Sequence, residues 1–140
     1  MVVLITRQAT EQADIDRAIA IDKMAIGSGD RSAYISSVAA RGGLSVAVRQ
    51  NEIRAFCCFD DHYFFERPFI SLLIVDPGAR RRGLGRSLLS FNSRGRREVW
   101  TSTNRSNAAM RALLAKSGWR YCGELDGLDA GDPEQFFKSP

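Results

Sequence analysis

A chain of 140 residues with 44% hydrophobic content suits one compact domain, residues 1–140, with a single core and no room for a second. No stretch approaches the run of about 20 apolar residues that a membrane span needs, and the opening MVVLITRQAT is too short an apolar run for a signal peptide, so a cytoplasmic protein with no membrane partner is expected. The formal net charge is +4 and the cations are overwhelmingly arginine, seven of them between Arg80 and Arg97, so the positive field is concentrated and favours an anionic partner, either a nucleic acid or a phosphate-bearing cofactor.

Val2 to Thr6 is a short β-branched run that predicts a strand. After the N-cap candidate Thr10, Ile15, Ala18, Ile19 and Ile26 recur at roughly helical spacing. A second helix is predicted from Asp30 to Ala40, ended by Gly42 and Gly43. Leu44, Val46 and Val48 then alternate as a strand, and the turn at Gln50 to Glu52 joins it to Ile53 to Phe59 as a hairpin. The run FISLLIV from Phe69 to Val75 is almost continuously apolar, the pattern of a strand buried on both faces, and Asp76, Pro77 and Gly78 stop it. Leu84, Leu88 and Phe91 mark a helix, and Glu98 to Thr103 a strand. Ala109, Met110, Leu113 and Leu114 form the stripe of a helix that starts near Asn104 or Ser106 and ends at Gly118. Trp119 to Leu125 and Gln135 to Lys138 close the chain as strands. The order β-α-α-β-β-β-α-β-α-β-β predicts an α/β (α+β) domain with a mixed sheet flanked by helices, because strand, helix, strand implies a parallel pair beside hairpin-linked antiparallel strands.

The three cysteines, Cys57, Cys58 and Cys122, are an odd number without metal-ligand spacing, and are read as reduced core thiols. With His62 as the lone histidine, no zinc tetrad can be assembled, and no metal is expected.

The chemistry concentrates between the apolar strand and its helix, in Asp76-Pro-Gly-Ala-Arg80-Arg-Arg-Gly83-Leu-Gly85-Arg86. A helix start presents unpaired N–H groups and partial positive charge, and glycines let the backbone close on an anion. The flanking arginines add charge, although each taken singly is as readily a solvated surface residue. In the nucleoside-triphosphate loop G-x-x-x-x-G-K-S/T, Gly78 and Gly83 have the right spacing, but Leu84 stands at the essential lysine. In the dinucleotide pattern G-x-G-x-x-G, Gly83 and Gly85 fit while Leu88 holds the third glycine position. Neither loop matches.

The pattern Q/R-x-x-G-x-G/A directly after an apolar strand does match, as Arg80-Arg81-Arg82-Gly83-Leu84-Gly85. It resembles the acetyl-CoA pyrophosphate loop of the GNAT superfamily of N-acetyltransferases. Asn107, Met110, Leu113, Leu114 and Gly118-Trp119 are similar to that family's N-x-x-A-x-x-L-Y-x-x-x-G-F motif at the same distances, and the element order is similar from end to end. The ending Leu128-Asp129-Ala-Gly131-Asp132-Pro133-Glu134 resembles the tail of a bacterial subgroup, L-D-x-G-D-P-E.

What the resemblance implies is a GNAT-like central mixed sheet and acetyl-CoA (coenzyme A) as cofactor. Its pantetheine arm would pair with the backbone of Leu73, Ile74 and Val75, its pyrophosphate would sit on the amides of Arg81, Arg82, Gly83, Leu84, Gly85 and Arg86, and Asn107 would bind near the thioester. The plainer alternative for Asn107 is a helix N-terminal residue satisfying local backbone. The acetyl group would pass to an amine of a small molecule or peptide by direct attack in a ternary complex. The chain departs from the family at two places: Leu114 stands at the usual tyrosine, and Ser102, five residues before Asn107, stands where some members have a glutamate. Glu66 is therefore taken as the base, acting through water, against the plainer reading of a solvated loop carboxylate. Glu124, Asp126, Asp129, Asp132 and Glu134 place carboxylates around the last turn, a field that favours a cationic amine or simply marks a polar loop. The departures keep open a catalytically silent acyl-CoA-binding module. A nucleic-acid-binding domain is the third reading, but no recognition helix or aromatic series supports it and no nucleic-acid partner is expected. Homodimerisation is compatible with a domain of this size, though no residue argues for it.

Overall fold

The computed structural model describes residues 2–140 and follows the expected element order. The strands are β1 (Leu4–Gln8), β2 (Leu44–Arg49), β3 (Glu52–Phe64), β4 (Arg67–Val75), β5 (Trp100–Asn104), β6 (Arg120–Leu125) and β7 (Glu134–Lys138), and the helices are α1 (Gln12–Ile26), α2 (Ser32–Ala40), α3 (Leu84–Ser93) and α4 (Ala108–Lys116). A short 3-10 turn at Pro77–Ala79 joins β4 to the loop before α3. The seven strands form one sheet in the order β1-β2-β3-β4-β5-β7-β6. Only β4 and β5 are parallel among its pairs, so the sheet is mixed. No helix among the described residues is long and apolar enough to cross a membrane.

Alternation along the strands sends side chains to two cores, one on each face of the sheet, where a single core was expected. On one face, Ala18, Ile21, Ile35 and Val38 of α1 and α2 pack on Leu44, Val46, Phe56 and Cys58. On the other, Leu84, Leu88 and Leu89 of α3 and Leu114 of α4 pack on Ala47, Cys57, Ile70, Val99 and Phe137. Each such aliphatic or aromatic side chain contributes about 1.5–3 kcal/mol when taken from water. The first core reaches no further along the sheet than β4, and no residue of β5 or β7 belongs to it. That half of the sheet face is free of helix.

Five further expectations are corrected. The first strand begins at Leu4 rather than Val2, and α1 is capped at Glu11 rather than Thr10, because Asp14 draws the preceding backbone onto itself. β3 runs on to Phe64 instead of ending at Phe59, as half of a ribbon projecting beyond the sheet where Asp61 and His62 can face water; the Asp60 carboxylate turns the chain there by accepting the N–H groups of His62 and Tyr63. Only Phe69 and Ile70 of the apolar run are buried, and Ser71 to Val75 are half-exposed because β5 diverges from them. Cys57 and Cys58 are core thiols on opposite faces, and burial pushes Cys58 up to about 12, but Cys122 is exposed on β6, where a register shift leaves it without a cross-strand partner.

Asp14 ties β1 to α1. Its two oxygens accept from the Arg7 guanidinium at 2.9 and 3.0 Å, and one of them also accepts the N–H of Thr10 at 2.9 Å. The Arg7 hydrogen bond, outweighing the penalty of burial, holds its carboxyl well below the usual carboxylate range. A carboxyl with a depressed folded-state pKa contributes stability that is complete above the ordinary aspartate value of about 3.9 and is lost as the pH falls from there toward the depressed value. Asp14→Asn is expected to cost about 2 kcal/mol at neutral pH, and urea unfolding at pH 7 and pH 3 should show the gap between variant and wild type narrowing in acid.

Candidate functional site

β4 and β5 are in register at only two places, Phe69 with Trp100 and Ile70 with Thr101. On its other side, β4 sets Ile70 opposite Phe59 and Leu72 opposite Cys58, so Ser71 is an extra residue. Such a bulge bends its strand and increases the local twist, and β4 leaves β5 from this point. The buried Thr101 hydroxyl donates to the Ile70 carbonyl at 2.9 Å and closes the apex of the fork. From Leu72 to Val75 the strand has no partner on the β5 side. Leu73, Val75 and Leu113 line the opening and converge on Gly85 of α3. This places the backbone of Leu73, Ile74 and Val75 along an apolar slot.

At the end of the slot, Asp76 anchors the loop. Its carboxylate accepts the N–H of Gly78 at 2.9 Å and pairs with Arg17 and Arg54 at 3.2 and 3.3 Å. The chain then curls: Arg81 has φ of 64° and Gly83, the N-cap of α3, has φ of 80°. Among the described residues, no backbone N–H from Arg81 to Arg86 finds a protein acceptor. Six consecutive donors at a helix start, curled by two left-handed residues, make an anion-binding concavity. A Cβ built on Gly83 meets nothing within 4 Å and would stand in that concavity. Arg80, Arg81, Arg82 and Arg86 are exposed around it, with no ion pair among the described residues. A pyrophosphate fits this donor set, and the residues named from the sequence for that role are brought together.

Asn107 is the N-cap of α4, and its side-chain oxygen accepts the N–H of Met110 at 3.1 Å. Its oxygen is therefore committed to the cap, which leaves its amide group as a donor. Leu114 is fully buried beneath α4 and offers no proton to anything. Glu66 stands at the exposed tip of the β3–β4 hairpin with φ of 56°, five residues before Ser71 and at the far end of β4 from the slot. At about 3.3 Å per residue it lies roughly 16 Å along the strand from the bulge, so the structure does not bring Glu66 together with the fork.

Several further side chains meet at the fork. Tyr34 reaches from α2 to the Ser71 hydroxyl at 2.5 Å, and burial pushes its phenol above the ordinary value, so it stays protonated. Ser102 donates to Glu134 of β7 at 2.7 Å. Phe64 packs on Phe69, Trp100 and Phe136 at centroid distances of 4.9, 5.6 and 5.4 Å, on the face free of helix. Three other carboxylates of the last turn are tied locally. Asp129 accepts from Asn104, Asp132 from the Ser106 backbone and hydroxyl, and Glu124 from Gln135.

A profile of the acetyltransferase (GNAT) family matches residues 19–119. Among solved structures, an acetyltransferase of the GNAT family from Bacillus cereus ATCC 10987 is similar with a TM-score of 0.92 and 33% identity, over 98% of this chain and 96% of that one. A ribosomal-protein-S18-alanine N-acetyltransferase from Escherichia coli shares the fold at a TM-score of 0.77 and 21% identity, over 99% and 94% of the two chains. So does yncA from Salmonella typhimurium, solved with its cofactor acetyl-CoA, at 0.74 and 21%, over 96% and 92%. No curated protein sequence matches at a significant level.

The two loop glycines do different work. A Cβ on Gly85 would lie 2.7 Å from Leu113 Cδ2, so this glycine lets α3 approach α4, whereas Gly83 faces the open concavity. Gly85→Val should lower stability by about 1–3 kcal/mol through overpacking. Gly83→Ala should cost about 1 kcal/mol for its left-handed backbone and leave the core unchanged. Parallel urea titrations of the two variants would show the difference.

Proposed function

The chain belongs to the acetyltransferase (GNAT) family, whose acetyl donor is acetyl-CoA, and from that premise we propose that it moves the acetyl group to an amine of a small molecule or peptide by direct attack in a ternary complex. What carries the reading is the juxtaposition of a half-unpaired β4 with six unpaired amides at the start of α3. Leu73, Ile74 and Val75 present backbone groups that pair with an extended amide-bearing arm. The amides of Arg81, Arg82, Gly83, Leu84, Gly85 and Arg86 hold the pyrophosphate, and the Asn107 amide reaches the thioester end. Acetyl-CoA when bound supplies an activated acyl carbon, and the protein's part is to align it and exclude water. The exposed arginines around the loop serve this anion rather than nucleic acid.

The acceptor comes to the helix-free face of β5 and β7, since α3 and α4 occupy the other. The fold of the ribosomal-protein-S18-alanine acetyltransferase supports a peptide amine as one class of acceptor. The ending from Leu128 to Glu134 supports the bacterial subgroup, and buried reduced thiols at Cys57 and Cys58 accord with a cytoplasmic setting. The buried Leu114 favours one competing reading, a silent acyl-CoA-binding module.

Calorimetric titration with acetyl-CoA is expected to give one site per chain, weakened at least tenfold in Gly83→Val, whose side chain occupies the anion's place. A thiol assay with an amine panel should then detect CoA release. Binding without release from any amine would support the silent module, and no binding at all would remove the reading.

A further inference from the structure

Ser102 stands one residue past the last paired position of β5, on the lip of the fork. Its side chain points away from α3 and α4, since its neighbours Thr101 and Thr103 are the buried ones. Trp100 shares that face, and Phe136 is the cross-strand partner of Ser102. Glu134 lies two residues from Phe136 on the same side of β7 and takes the Ser102 hydroxyl proton in a 2.7 Å hydrogen bond. A carboxylate from β7 is thereby delivered to the place on β5 where the sequence itself carries only a serine. Among the described residues no cation pairs with Glu134. On its face of the sheet the charged groups are Asp129, held on its register partner Asn104, and Lys138, which lies over Trp100 at 5.5 Å and is paired with Glu98; Glu124 is bonded to Gln135 on the opposite face. Beside this carboxylate, Phe64, Trp100 and Phe136, packed around the buried Phe69, form an aromatic floor that no helix covers.

A half-buried carboxylate with no cation of its own, next to aromatic faces, suits an ammonium ion. We propose that Glu134, positioned by Ser102, is the general base of the transfer and that the acceptor is an ammonium borne on an apolar group; the inference rests on the acetyltransferase reading above. The carboxylate takes one proton from the ammonium. The freed nitrogen lone pair forms the N–C bond to the thioester carbonyl carbon, and the C–S bond breaks with its electron pair on sulfur. The nitrogen's surplus proton passes to that sulfur, leaving an amide, a thiol and a protonated Glu134 that returns its proton to solvent. Glu134 touches the reacting amine, whereas Ser102 acts through it.

The test compares Glu134→Gln and Ser102→Ala with wild type over a panel of amines from ethanolamine to 2-phenylethylamine, with acetyl-CoA affinity measured by calorimetry on each protein. Glutamine keeps the size and can still accept from Ser102. Its kcat at pH 7 should fall about 100-fold while acetyl-CoA affinity stays within twofold, and the defect should shrink as the pH rises through the pKa of the amine, where the acceptor is already neutral. Ser102→Ala should lower kcat less, with the same recovery at high pH. The wild type should prefer 2-phenylethylamine over ethanolamine in kcat/KM. Wild-type kcat in Glu134→Gln, a pH-independent defect, loss of acetyl-CoA affinity in that variant, or preference for the polar amine would each overturn the proposal. Wild-type protein that binds acetyl-CoA but turns over no amine would refute the acetyltransferase reading itself and this inference with it.

Discussion

A β-strand is stable when its backbone donors and acceptors are paired, and β4 breaks that rule in the middle of the sheet. Strands β2 and β3, and β5 and β7, are paired along most or all of their lengths, but the central parallel pair holds for two residues and then opens. One inserted residue, Ser71, causes the opening. Unpaired backbone in a half-buried position costs about 1–3 kcal/mol per group when water is excluded, so the rest of the structure holds the fork at a fixed width. The Thr101 hydroxyl ties its apex, and Tyr34 holds Ser71 from the α2 side. Asp76, with Arg17, Arg54 and the Gly78 amide, pins the far end of β4. An extended ligand that pairs with β4 replaces the missing strand.

Charge follows the same division. Asp76 pairs with the two arginines that serve the scaffold, one of which, Arg54, also pairs with Glu52, and Glu98 pairs with Arg67 and Lys138 at the other end of β4. Arg96 lies over the Phe59 ring at 4.1 Å, so its cation is committed to packing. The arginines left exposed without carboxylate partners include those of the loop, Arg80, Arg81, Arg82 and Arg86, around the six amides. Formal net charge alone does not separate a nucleic-acid surface from a phosphate cradle. The loop does, because four cations without carboxylate partners among the described residues and six unpaired N–H groups meet on one concavity.

The element order and the mixed sheet were legible in the sequence because periodicity is a local property. Apolar residues at helical spacing in α3 and alternation in β2 need no knowledge of neighbours. The phosphate loop was legible for a similar reason, since Gly83 and the helix after it form one continuous segment. The boundaries of β3 were not legible, because Asp60 to Tyr63 read as a polar loop until Asp60 is seen turning the chain with its own carboxylate. Nor was the exposure of Ser71 to Val75, since an apolar run reads as core whether it faces core or a slot. The insertion of β7 between β5 and β6 depends on long-range pairing, and with it goes the placement of Glu134 beside Ser102. Sequence reasoning, confined to one motif, weighed the strand position at Ser102 and a loop carboxylate at Glu66; it could not see that the neighbouring strand places Glu134 against Ser102.

The fork also explains why one thin sheet can serve two substrates at once. The α3 and α4 side carries the loop and the apolar slot, and the opposite side carries the aromatic floor with Glu134. At most positions a sheet separates its two faces completely, with side chains on each side and paired backbone between. Where β4 leaves β5, no backbone pairing intervenes, and groups held on opposite faces can meet across the gap between Ser71 and Ser102. Direct transfer needs such a meeting place, because an acyl carbon and an amine must approach to about 3–3.5 Å while each remains bound to its own half of the protein. In the proposed transfer a bulge of one residue does two things: it opens the edge that the donor pairs with, and it removes the wall between donor and acceptor.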